Sequence, residues 1–158
     1  RRTFSRLKIK VVFLNYTKYF MKVKRIKGDT SENPHEGTES IPAIRLFSTE
    51  NGLSSFERGT IPTLKPMNTN TFWISNKTEE WEKIKHPAPR KQYVVTIQGK
   101  LRFKVSDGST FIIEPGIILL AEDTIGEGHS WEMLDSNGWE RLYLPISVGA
   151  EDFFTKEI

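Results

Sequence analysis

The sequence predicts an all-β domain, arranged as an antiparallel sandwich or barrel. Three observations lead there. From Lys91 onward, short runs rich in β-branched and aromatic residues follow one another with a turn signal between each. Within them the alternation of a half-buried strand is explicit: Lys100–Val105 (KLRFKV) puts Leu101, Phe103 and Val105 on one face and Lys100, Arg102 and Lys104 on the other. Helical pattern is scarce, since only Thr78–Lys85 (TEEWEKIK) orders acids before lysines as a helical turn favours, and His86-Pro87 ends it.

Taken in order, Lys22–Ile26 predicts a first strand, and residues 28–40 (GDTSENPHEGTES) predict an exposed loop that carries His35. Residues 41–70 read as turn-rich, with Pro42, Gly52, Gly59, Pro62 and Pro66 punctuating short apolar pieces such as Ile44–Phe47. Strands are then expected at Lys91–Gln98, stopped by Gly99, and at Lys100–Val105. Ser106-Asp107-Gly108-Ser109 forms a hairpin turn, because Asp-Gly suits its left-handed backbone. Further strands follow at Thr110–Glu114, Ile117–Ala121, His129–Leu134 and Trp139–Ile146, with turns at Pro115-Gly116 and Asp135–Gly138. Short strands without intervening helices specify a sandwich or barrel.

The chain has 158 residues, 37% hydrophobic and 27% charged, which suits one domain with a core of its own. It has no cysteine, and this excludes disulfides, a thiolate nucleophile and cysteine-ligated zinc or iron–sulfur sites. The formal charge of +3 is unevenly spread: six of the 23 bases and none of the 20 acids fall in residues 1–20, so the rest carries 17 bases against 20 acids. With no basic stripe interleaved with aromatics, a nucleic-acid partner is not expected. Residues 1–20 are basic and acid-free like an organelle-targeting presequence, or like a non-native extension, and Met21 offers a start. Their apolar run Ile9–Phe13 is interrupted by Lys10 and too short to span a bilayer, so no membrane partner is expected either. The predicted organisation is a basic extension (1–20), a β domain (21–147) and a C-terminal tail (148–158). A cytoplasmic location is expected, or an organelle if the extension is native.

Two patches within His86–Ile146 carry a family resemblance. The first is His86-Pro-Ala88-Pro-Arg-Lys-Gln92, running on to Gly99; the second runs from Gly116 through Glu122-Asp123-Thr-Ile-Gly-Glu-Gly128-His129. They resemble the two motifs of the cupin superfamily, His-x-His followed by Glu and Gly, and Gly followed by Pro-x-Gly and His. The match is to a subgroup of small cupins that carries the His-x-Ala-Pro-x-x-Gln and Glu-Asp-Thr-x-Gly-x-Gly-His forms. Ala88 stands where the second His is usual, Gln92 where Glu is, and Glu122 where Pro is. The resemblance implies a double-stranded β-helix, the jelly-roll barrel, with a small-molecule ligand inside.

It also implies a candidate metal set of His86, Gln92, Asp123 and His129, with Glu122 as an alternative carboxylate, holding iron, manganese, nickel or zinc. A neutral amide in place of Glu weakens such a site, and the alternative is that no metal binds and the two histidines act as hydrogen-bonding groups. Without metal, His86 or His129 can still act as general base, because imidazole titrates near neutrality. His129 opens a strand beside Trp131, which could stack a ring-shaped ligand or simply fill the core, as could Trp139. Arg141 shares a strand face with Trp139 and Tyr143, so an internal face would make it an anion-binding group, and an external one a surface ion pair.

Three functional readings result. The first is a small-molecule-binding cupin, with a weakly metal-binding enzyme as one form of it, whose pocket includes Gln92, Tyr93, Glu122, Asp123, Trp131, Arg141 and Tyr143. The second is a metal-free sugar-type isomerase or epimerase using His86 or His129 as base and Tyr93 or Tyr143 as proton donor. The third is a non-catalytic ligand-binding or structural dimer. Homodimer pairing is expected through Tyr93–Ile97, both faces of which are largely apolar.

Overall fold

Two β-sheets packed face to face, with one helical turn, make up the described part of the protein. The computed structural model describes residues 40–158; the basic extension, the expected strand Lys22–Ile26 and His35 lie outside the described residues. The strands are β1 (Ser40–Ser48), β2 (Ser54–Pro62), β3 (Trp73–Ser75), β4 (Gln92–Gln98), β5 (Leu101–Lys104), β6 (Thr110–Ile113), β7 (Ile118–Glu122), β8 (Ser130–Met133), β9 (Glu140–Pro145) and β10 (Thr155–Lys156), with helix α1 at Glu80–Lys83. The larger sheet has the order β10-β2-β1-β7-β4-β9-β3 and the smaller β6-β5-β8. From β4 to β9 each strand lies within a residue or two of the bounds that its alternation predicts.

The turn-rich reading of residues 41–70 is corrected by β1 and β2, two nine-residue strands paired from Ser40 opposite Pro62 to Ser48 opposite Ser54. Their turn-forming residues occupy places a sheet tolerates. Pro42 lies where β1 has β2 alone as neighbour, since β7 joins only from Ala43, so its missing N–H breaks no second ladder. Gly59 leaves room for the tail: a Cβ there would sit 2.2 Å from the Thr155 carbonyl oxygen and 2.6 Å from the Phe154 ring. The expectation of purely antiparallel pairing is also corrected, because β1 and β7 run parallel from Ala43 opposite Ile118 to Phe47 opposite Glu122.

Strand alternation divides the apolar residues between two clusters. Inward, Ile44, Leu46, Val94, Leu119 and Ala121 of the large sheet meet Leu101, Phe103, Phe111, Ile113 and Trp131 of the small one. Outward, Ala43, Ile61, Tyr93 and Leu120 form a second cluster covered by Met67, Ile146 and Phe154. The large sheet is therefore apolar on both faces around β4 and β7. β4 is a central strand, with Tyr93–Val95 paired on both sides, and β3 and β10 form the edges of the large sheet. Among the described residues no helix is long and apolar enough to cross a membrane.

The C-terminal segment is tied to the sheet by β10 on β2 and by Lys91, whose ammonium lies 2.5 Å from Asp152 and 3.0 Å from Glu122. Burial alone would push the Asp152 carboxyl up. The Lys91 hydrogen bond, the Phe154 N–H and the charges of Lys91 and Arg45 together hold it below its ordinary 3.8. For Lys91 burial would lower the pKa, yet its bonds to Asp152 and Glu122 hold it above 10.5. A depressed carboxyl contributes stability that is present above its unfolded pKa and lost as pH falls through the folded one. A raised ammonium contributes stability that is present below its unfolded pKa and lost as pH rises through the folded one. The segment is thus predicted to stay docked through the neutral range and to loosen below about pH 4 and above about pH 10.5. Amide protection at Glu157, whose N–H donates to the Arg58 carbonyl, checks this; equal protection at pH 3 and pH 7 would contradict it.

Candidate functional site

At one end of the sandwich the inner faces enclose a cavity of about 320 Å³, within the usual size range for small-ligand pockets. Register explains its floor. Gln92 and Val94 of β4 lie opposite Ala121 and Leu119 of β7, and Val94 lies opposite Tyr143 of β9. Arg141, two residues earlier on β9, shares that face with Tyr143 and lines the cavity. Phe103 and Trp131 form the opposing wall, and Trp81, Glu82, His86 and Ala88 also line the cavity. All four tryptophans of the chain line this space, Trp73 and Trp139 being the other two.

The two histidines meet because their backbones do. His86 N–H donates to the His129 carbonyl and His129 N–H to the His86 carbonyl, each at 2.9 Å, and the ring centroids lie 5.0 Å apart. Gly128 makes this approach possible. At φ +69° it holds a left-handed backbone, and a Cβ would fall 2.0 Å from the His86 carbonyl carbon. An ion pair between Lys85 and Glu127 flanks the junction.

Each imidazole is anchored through Nδ1. His86 uses it at 2.7 Å on the Ile84 carbonyl, and His129 at 2.6 Å on Asp123 Oδ2. Where Asp123 Oδ2 accepts from His129 Nδ1–H, a neutral ring has its lone pair on Nε2. Asp123 is fully buried and His129 is 5% exposed. Gln92 is 3% exposed, and its Oε1 has no hydrogen-bond partner among the described residues. Trp139 Nε1, by contrast, is satisfied by Thr96 Oγ1 at 3.0 Å.

Of the residues singled out from sequence, His86, Gln92, His129, Trp131, Arg141 and Tyr143 line one cavity. Three others do not. Glu122 follows the inward Ala121 and so faces the other side of its strand, where it pairs with Arg45 Nε at 2.6 Å and Lys91. Tyr93 alternates with Gln92 into the outer cluster, and burial pushes its phenol far above the ordinary range. Asp123 reaches the cavity only through His129. Trp73, Trp81, Glu82 and Phe103 line the cavity although no sequence signal places them there. Phe103 was legible as core, whereas Glu82 sits in a helical turn that reads as solvated.

The residues do not fit a resident divalent metal. Among the described residues no three His, Asp or Glu side chains converge on one point. Asp123 binds the His129 ring through Oδ2, Glu122 pairs with two cations on the other face of its strand, and Glu82, the carboxylate that lines the cavity, is taken by Arg141, so none of the three joins the imidazoles and the Gln92 amide as such sites require. Comparison of the chain with family models, curated proteins and solved structures gives no match.

Proposed function

We propose that the chain is a cupin-like jelly-roll protein that binds a small ring-containing molecule between its sheets, with Gln92 accepting a hydrogen bond from it and His129 exchanging a proton with it. The jelly-roll reading is supported by the path of the chain. It passes from the large sheet (β4) to the small (β5, β6), back (β7), across (β8) and back again (β9). The observation that carries the binding reading is the aromatic cavity itself, one of whose lining residues, Gln92, holds a buried Oε1 without a partner among the described residues. Such an orphan costs about 1–3 kcal/mol, which a ligand N–H or O–H recovers once the amide turns toward the cavity. Asp123 orients the His129 ring as the carboxylate of a catalytic dyad does, so Nε2 is placed to take a proton.

A second reading, the metal-free isomerase, is favoured by Tyr143, which lines the same cavity as His129. Burial raises its phenol, and the Arg141 hydrogen bond only partly offsets this, so the proton is retained for donation at neutral pH. Because Arg141 is the one Lys or Arg that lines the cavity among the described residues, a nucleotide-linked sugar with its diphosphate fits less well than a small molecule bearing a single charge.

Saturation-transfer NMR with a library of small ring compounds tests the proposal on the wild type and on Ala88→Leu. Ala88 is 3% exposed on the cavity wall, where the resemblance would place a second His, and a leucine there occupies the ligand's space. The expected result is that hits compete for one site and bind about tenfold or more weaker to Ala88→Leu. Hits that bind the folded variant undiminished would overturn the reading.

A further inference from the structure

Resting on that reading, we propose that the ligand carries a carboxylate, which binds Arg141, and that Glu82 holds the same place in the free protein. Arg141 is 1% exposed, and a guanidinium keeps its charge at any accessible pH, so a buried one needs an anion. Its own strand holds it in place. The guanidinium lies over the Trp139 ring at 4.1 Å, Nε donates to Tyr143 Oη at 2.6 Å, and one terminal amino group donates to the Trp139 carbonyl at 3.0 Å. The other terminal amino group has Glu82 as its partner among the described residues, at 3.2 Å to Oε1 and 3.4 Å to Oε2. Charge-assisted bonds in a tight pair run near 2.7–2.9 Å, so this pair is loose.

The two partners are unequally committed. Glu82 is 18% exposed, belongs to a helix with no buried residue, and has a second engagement, since its Oε2 accepts the Glu79 N–H at 2.9 Å. On release from Arg141 it keeps that bond and gains solvent. Arg141 has no such alternative and requires another anion. A planar carboxylate supplies one, with its ring against the aromatic walls. A phosphate dianion would keep one charge unpaired, because among the described residues no second Lys or Arg lines the cavity.

The test uses benzoate, its neutral isostere benzamide, and phenyl phosphate, titrated against the intrinsic fluorescence of the four pocket tryptophans. In the wild type, benzoate is expected to bind more tightly than either analogue. Glu82→Gln removes the competing charge while keeping the shape, and should tighten benzoate about tenfold while changing benzamide by less than about twofold. Glu82→Ala, which has no amide to bond Arg141, should give the same order. Benzamide binding as well as benzoate in every protein, phenyl phosphate binding tightest, or weaker benzoate binding in both Glu82 variants would each overturn the carboxylate assignment while leaving the pocket reading intact. No response to any of the three probes in any protein would overturn both.

Discussion

Gly128→Ala is expected to lower the stability by roughly 3–5 kcal/mol and to abolish ligand binding. Two costs combine. The left-handed backbone at φ +69° strains any L side chain, and the new Cβ would lie 2.0 Å from the carbonyl carbon and 2.1 Å from the oxygen of His86. Neither neighbour is the flexible end of a side chain, so the backbone must move. The bond pair that joins His86 to His129 is what it moves. Gly116→Ala separates the two costs, because Gly116 has φ +96° but nothing within 4 Å of the place its new Cβ would take, and should lose only about 1–2 kcal/mol. Urea unfolding of both variants measures the difference. Equal losses would mean that the close approach at His86 contributes nothing.

Asp123→Ala should cost about 2–4 kcal/mol, since it strips a buried imidazole N–H of its acceptor and leaves a hole where a fully buried side chain stood. Asp123→Asn keeps an oxygen for His129 Nδ1 and should cost about half as much. The ring itself reports the mechanism. Nitrogen-15 shifts of His129 are expected to place the proton on Nδ1 in the wild type and to lose that fixed tautomer in Asp123→Ala. A wild-type ring protonated on Nε2, with the alanine variant as stable as the parent, would remove His129 as the proton acceptor of the site.

The strands from β4 to β9 were legible because each buries one face or both, and the alternation of Leu101, Phe103 and Val105 with Lys100, Arg102 and Lys104 is a direct record of that. β1 and β2 were not, because the features that read as turns, Pro42, Gly59 and Pro62, stand at a one-sided position, a close approach and a strand end. The site was legible in part. His86, Gln92, His129, Arg141 and Tyr143 converge, and the shared face of Trp139, Arg141 and Tyr143 is internal as its alternation allowed. Glu122 was misplaced by motif position alone, although strand phase contained the answer, since neighbours on a strand face opposite ways and Ala121 faces inward. Glu82 was beyond reach, because the Arg141 it meets lies 59 residues away and nothing local marks an acid in a solvated turn as a cavity residue.

The central claim is that the space walled by the four tryptophans receives the ligand, and the indole N–H signals of a proton–nitrogen correlation spectrum test it most directly. Library hits titrated into the protein are predicted to shift those signals together with the Gln92 side-chain amide, while the signals of the opposite sheet face, Tyr93 and Leu120, stay in place. Hits that leave the indole and Gln92 signals unmoved while shifting the outer face of the small sheet around Arg102 and Lys104 would contradict it.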